Sequence, residues 1–245
     1  MSTRALTLTQ TTIGKKALMA VSGVVMVLFV IGHLSGNLKA FQSPRAFNEY
    51  AAFLRTLGPL LWVARAAILV SFLVHVKAAM DLWQRNKQAG AGASRYHGQK
   101  KQKTDWAALS MYLSGPGLLF YILFHLAHLT FGYYLFGEGN VFGVEGYAFD
   151  EMNPYNNMVL GFQVWWISAL YIVGVAGLGL HLFHGLWSMF QTVGANHPKY
   201  NGLRRDLAVG LSLLLALGFI SIPVATLLGG LPPTTETFYF PELKH

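Results

Sequence analysis

Five runs of apolar residues, each long enough for a membrane-crossing helix, constrain this chain more than any other feature. They extend from about Ala17 to Gly36, Leu60 to Leu82, Ala107 to Phe136, Val159 to Phe190 and Leu207 to Gly230. A helix needs about 20 residues to cross the hydrocarbon layer, rising 1.5 Å with each. Only 11% of the 245 residues are charged, less than half the ~25% of a soluble domain. The expected fold is an all-α integral membrane protein with five transmembrane helices, built as a single domain over residues 1–245. The third and fourth runs are long enough to tilt or to project beyond the bilayer.

Lys15 and Lys16 precede the first run as they would in a signal peptide. A 14-residue arm stands before them, however, and no A-x-A site follows, so the run is expected to be a retained span. The net charge of +8 would suggest nucleic acid in a soluble chain; beside apolar runs it reports topology instead. With the N-terminus inside, the inner segments hold 12 of the 18 Lys and Arg residues and the outer segments hold four. The loop from Gly137 to Met158 carries Glu138, Glu145, Asp150 and Glu151 but no Lys or Arg. The positive-inside rule therefore predicts a cytoplasmic N-terminus and an external C-terminus. The sequence suggests no separate soluble domain and no long-period repeat.

The chain has no cysteine, which excludes disulfides, thiolate-held zinc or iron–sulfur clusters, and haem attached through C-x-x-C-H. It has nine histidines, and six lie inside the runs: His33, His75, His125, His128, His181 and His184. An ionisable group inside a membrane is costly and usually functional. A single such histidine could equally bond a neighbouring helix, but six spread over four helices favour function. Measured from the span midpoints at 1.5 Å per residue, His33 and His125 lie roughly 6–9 Å toward the outer face. His75 and His181 lie about as far toward the inner face. In an up-down bundle helices 1 and 3 are diagonal partners, as are 2 and 4, so two imidazoles face each other at each level. That predicts a bundle of the first four helices holding two bis-histidine b haems, roughly 15 Å apart.

Two pairs, His125/His128 and His181/His184, have H-x-x-H spacing and share a helix face. The second histidine of each is a secondary candidate for ligation, and the pairs also permit a non-haem metal oxygenase. Such metal sites usually add carboxylates, and these spans supply none; Asp81 reaches only the end of the second. A third reading is a structural anchor whose histidines pack helices. Gly23, Gly32, Gly36, Gly115, Gly117, Gly132, Gly174, Gly177 and Gly179 would admit either a flat ring or a close helix.

The segments LFVIGHLSGNLKAF (Leu28–Phe41), FNEYAAFLRTLGPLLW (Phe47–Trp62), LSGPGLLFYILFHLAHLTFG (Leu113–Gly132) and LGLHLFHGLWSMFQTVG (Leu178–Gly194) resemble the diheme cytochrome b membrane subunit of succinate:quinone oxidoreductases. The resemblance covers nearly the whole chain. It implies five transmembrane helices in a bacterial cytoplasmic membrane, with a flavoprotein subunit and an iron–sulfur subunit anchored on the inner face. It further implies electron transfer from succinate through two b haems to a quinone, often menaquinone, linking the tricarboxylic acid cycle to the respiratory chain. A fumarate reductase anchor working in the reverse direction belongs to the same family. The family pattern implies that His33 and His125 hold the distal haem and that His75 and His181 hold the proximal one. Some relatives carry a glutamate two residues before the fourth-helix ligand, proposed for proton return; here that position is Gly179.

Quinone reduction needs a proton donor and hydrogen-bond donors. Near the distal level the candidates are Glu49, Tyr50, Arg55 and Asn37; near the proximal level they are Ser22, Trp106 and Tyr112. Cationic candidates for propionates are Lys15, Lys16, Arg204 and Arg205 on the inner side, Lys39, Arg45 and Arg55 on the outer side, and Arg65 nearer the hydrocarbon.

Overall fold

The computed structural model describes residues 7, 10–89, 106–132, 140–141, 144–145, 149–192, 194–195 and 197–241. Among them are seven α-helices: α1 (Thr12–Asn37), α2 (Pro44–Thr56), α3 (Pro59–Ala89), α4 (Trp106–His125), α5 (Pro154–Gln163), α6 (Trp165–Thr192) and α7 (Asn201–Leu227). Five segments are long and apolar enough to cross a membrane: Thr12–Phe41, Pro59–Gln88, Leu113–Thr130, Trp165–Thr192 and Pro198–Leu227. A two-residue strand pair, Asn140–Val141 with Val144–Glu145, is the one extended pairing among the described residues. Residues 90–105, between the second and third apolar runs, lie outside the described residues.

Local chemistry marks the helix starts. Thr11 accepts from the Gly14 amide at 2.9 Å, and Ser43, ahead of Pro44, accepts from the Ala46 amide at 3.0 Å. Asn153, ahead of Pro154, accepts from the Asn156 amide at 3.1 Å. In each case a side-chain oxygen satisfies an N–H that the first helical turn leaves unpaired. Gly58, at φ +50°, makes the corner between α2 and α3, where a side chain would be strained.

Two elements depart from the sequence reading. The fourth apolar run, expected as one span from Val159 to Phe190, is broken. α5 ends at Gln163, Val164 is extended, and α6 begins at Trp165. The carbonyl of Phe162, released by the break, accepts the Ser168 hydroxyl at 2.5 Å. No Gly or Pro stands at the break, so the apolar pattern runs through it unmarked. The third run is α-helical only to His125 and continues as a π-helical turn over Leu126–Thr130. Its expected extension over residues 133–136 lies outside the described residues. The sequence reading also did not anticipate α2 as a separate helix between the first two spans.

α1 packs along α3, α4 along α6, and α6 along α7, while α5 lies across α2, α6 and α7. One apolar core, with Leu34, Leu182, Leu186, Ala208 and Leu215, joins α1, α6 and α7. A second sits under α5 and contains Tyr155, Met158, Val159, Phe162, Ile167, Tyr171 and Ile222. Large apolar side chains such as Leu69, Val70, Leu73 and Leu214 point outward, as expected where the surrounding solvent is lipid tails.

The end of the bundle carrying α2 and α5 is tied by amides. The fully buried Asn48 accepts from the Tyr155 amide and donates to Asn153 Oδ1, both at 2.9 Å. Asn156 exchanges two hydrogen bonds with Thr234, at 2.8 and 2.9 Å. Replacing Asn48 with Ala leaves the Tyr155 amide unpaired in the interior, at a cost of about 1–3 kcal/mol. A lower unfolding midpoint of the purified protein in detergent, relative to an exposed Asn→Ala control, measures it.

Candidate functional site

Four imidazoles meet in two pairs between the α1–α3 and α4–α6 helix pairs. The ring of His33 on α1 lies 5.8 Å, centre to centre, from that of His125 on α4. The ring of His75 on α3 lies 6.2 Å from that of His181 on α6. Each pair links one helix of the first antiparallel couple to one of the second. Three helices measure the distance between the two levels. Ser22 touches His75 and stands 11 residues before His33 on α1, and Ser114 touches His181 and stands 11 before His125 on α4. Tyr171 touches His125 and stands ten before His181 on α6. At 1.5 Å per residue, these intervals give roughly 15–17 Å along the bundle.

Every one of these imidazoles has a polar group beside its Nδ1. His75 Nδ1 lies 3.1 Å from the Met19 carbonyl and 3.4 Å from Ser22 Oγ. His181 Nδ1 lies 3.3 Å from Ser114 Oγ. His125 Nδ1 lies 3.3 Å from the Tyr171 hydroxyl, and His33 Nδ1 is 3.4 Å from the Asn37 amide, which also donates to the His33 carbonyl at 2.8 Å. At His75, His181 and His125 an oxygen that can accept from Nδ1–H orients the ring and leaves Nε2 as its coordinating atom, whereas the Asn37 amide nitrogen, itself a donor, sits beside His33 Nδ1 without accepting from it.

The spacing suits ligation of one metal by each pair. Imidazole nitrogens bind a first-row metal at about 2.0–2.1 Å and a ring centre lies about 1.1 Å behind its nitrogen, so two imidazoles on one metal have centres roughly 6.3 Å apart. The observed 5.8 and 6.2 Å are close to that figure without rearrangement of the helices. At Gly177, one turn before His181, and at Gly115, next to Ser114, no heavy atom lies within 4 Å of the place a Cβ would occupy. Both positions leave a flank that a flat ring can approach. Among the described residues no group of three or more His, Asp or Glu side chains converges as a metal cluster; the histidines converge only in twos.

The secondary histidines are placed differently from the paired ones. His128 is fully buried, against Phe124, Phe162 and Tyr171. A Cβ on Gly161 would overlap its ring. His184 is half-buried one turn beyond His181. Several glycines read as possible ring-facing positions serve helix packing instead: Gly36 lies against Tyr50, Gly174 against Tyr121 and Gly179 against Ala216.

The polar candidates scatter. Asn37 and Tyr50 share the α2 end, where Lys39 Nζ stands 5.6 Å over the Tyr50 ring. Glu49 is exposed and lies 3.9 Å from Arg45, which also reaches Glu236 at 3.3 Å. Arg55 is half-buried in the last turn of α2. Ser22 is buried and donates to the Leu18 carbonyl at 2.7 Å, so its lone pairs face His75. The side chains of Trp106 and Tyr112 lie outside the described residues. Among the cations, Lys15 is committed to Asp81 at 2.5 Å, and Arg65 lies 4.9 Å over Trp62 on the exposed face of α3. Arg204 is buried and donates to the carbonyls of Ala195, His197 and Tyr200.

Sequence reasoning missed Ser114 and Tyr171. A signal for the first was present: Ser-Gly with His eleven residues after the Ser occurs twice, as Ser22-Gly23…His33 and Ser114-Gly115…His125. In both helices the serine meets the histidine of the antiparallel neighbour. The two helix couples thus repeat one arrangement, where no long-period repeat was expected. Tyr171 carries no comparable spacing signal. Searches of protein-family models, curated proteins and solved structures find no match to this chain.

Arg204→Met removes charge-assisted bonds to three carbonyls, each worth about 1.5–3 kcal/mol. Faster protease cleavage between Ala195 and Tyr200 is the expected readout, with the imidazole pairs untouched.

Proposed function

We propose that this chain is a diheme cytochrome b membrane subunit of the succinate:quinone oxidoreductase type. It would pass electrons from an iron–sulfur partner, itself fed by a flavoprotein partner, to a quinone such as menaquinone. The observation that carries the reading is the meeting of four imidazoles in two pairs, 5.8 and 6.2 Å apart, at two levels of one bundle. His33 and His125 would hold one haem, and His75 and His181 the other. When bound, haem iron supplies one-electron redox chemistry between its ferric and ferrous states.

The chain's own residues do the rest. The α1–α3 and α4–α6 couples hold the imidazoles in pairs across the bundle, so that a haem held there would take two histidine ligands from protein and would relay electrons rather than bind substrate. The Met19 carbonyl, Ser22, Ser114, Asn37 and Tyr171 hold the rings by their Nδ1 faces. A separation of roughly 15 Å between levels suits electron transfer along the bundle. At the α2 end, Asn37, Tyr50, Arg55 and Glu49 offer donors for quinone carbonyls and a carboxyl for proton delivery. The charge asymmetry favours the N-terminal end as the cytoplasmic side, where the partners would dock. A bacterial cytoplasmic membrane and the succinate-oxidising direction belong to the same proposal.

The test is the visible spectrum of the purified full-length chain, oxidised and then reduced with dithionite. Two bis-imidazole haems per chain are expected. Non-haem iron without that spectrum would establish the oxygenase reading instead, and the absence of any cofactor would leave a structural anchor. In single alanine variants, loss of His33 or His125 should remove one haem, and loss of His75 or His181 the other. His128→Ala and His184→Ala should keep both. Two intact haems in His181→Ala would refute the assignment.

A further inference from the structure

The Tyr171 hydroxyl lies between two imidazoles, 3.3 Å from His125 Nδ1 and 3.0 Å from His128 Nδ1. Both Tyr171 and His128 are buried, at 4% and 0% exposure, so water does not compete for these contacts. A phenol has one proton to donate and lone pairs to accept with. If His125 coordinates through Nε2, its proton resides on Nδ1, and that N–H can only donate to the phenol oxygen. The phenol then directs its own proton to the nearer acceptor, His128 Nδ1. The result is a chain of one sense, from His125 through Tyr171 to His128. Its far end is held in place, since the His128 ring is wedged against Gly161 and between Phe124 and Phe162. The π-helical turn that begins at Leu126 accompanies this placement of two histidines, three residues apart, around one hydroxyl.

We propose that Tyr171, backed by His128, is the positioning residue for His125: it fixes the ring's orientation and its basicity, and so sets the potential of the redox centre at the His33–His125 pair. This inference rests on the haem reading above. An acceptor at Nδ1 makes an imidazole a more basic ligand, and a more basic ligand favours the ferric state. Removing the acceptor therefore raises the midpoint potential. The Tyr121 ring also packs near His125, at 6.1 Å, and near Tyr171, at 5.4 Å. Tyr121 shares the aromatic packing but has no place in the hydrogen-bond chain.

The experiment is a redox titration of the purified full-length protein, following each haem band, in native, Tyr171→Phe, Tyr121→Phe and His128→Gln forms. Absence of the His33–His125 haem in His125→Ala identifies which component is which. Tyr171→Phe is expected to keep the His75–His181 component unchanged and to move the other to higher potential, or to release that haem alone. Tyr121→Phe should move neither. His128→Gln should shift the same component in the same direction by less, because the phenol stays while its far partner weakens. Two haems with unmoved potentials in Tyr171→Phe would overturn this inference and leave the haem reading intact. Native protein without bis-imidazole haem would overturn both. Should Tyr171→Phe fail to fold, an unmoved potential in His128→Gln overturns the inference in its place.

Discussion

The structure depends on imidazoles being paired across a gap between two helix couples. α1 with α3 and α4 with α6 each form a close antiparallel contact, and the histidines join one couple to the other. A neutral imidazole in an apolar bundle still has two polar nitrogens to satisfy. The fold satisfies one of them with a carbonyl, hydroxyl or amide on α1, α4 or α6, which leaves the other for the bundle interior. Helix register, the two serines and the buried tyrosine all follow from that requirement.

The repeated arrangement gives the bundle an approximate internal symmetry. Ser22 on α1 serves His75 on α3 as Ser114 on α4 serves His181 on α6. In each couple, one helix carries a histidine at one level and, 11 residues earlier, the serine for its neighbour's histidine at the other. The two levels differ in how their rings are held. The His75–His181 level uses a backbone carbonyl and two serines. The His33–His125 level uses an asparagine from the same helix and a tyrosine shared with a third imidazole. On the proposed haem reading, such a difference would separate the potentials of the two centres within a single scaffold.

The surroundings of the pairs divide into a rigid end and a charged end. At the α2 end, buried amides join α2, α5 and the segment after α7, and a compact aromatic core lies beneath. At the other end, Lys15 pairs with Asp81, Arg85 reaches the Gln10 carbonyl at 2.7 Å, and Arg204 gathers the loop carbonyls before α7. Cations that seemed available in the sequence are thereby engaged in holding helix ends. Long side chains with several donors readily satisfy terminal carbonyls, and their charge alone does not reveal that use.

Hydropathy and spacing determined the five spans, the absence of thiolate chemistry and the two levels of histidine. These depend only on what each residue is and on a rise of 1.5 Å per residue. The sequence put His125 and His181 first in their H-x-x-H pairs by depth, and the tertiary structure sets their rings beside those of His33 and His75. Residues three apart differ by about 60° around a regular helix, an angle within the range a π turn or a small rotation can change. Tertiary structure alone decided the break at Val164, where an extended residue is stabilised by Ser168 rather than marked by proline or glycine. The roles of Tyr171 and Ser114 were equally beyond a linear reading, since a hydroxyl is ordinary in sequence and acquires its purpose from the ring that another helix brings to it.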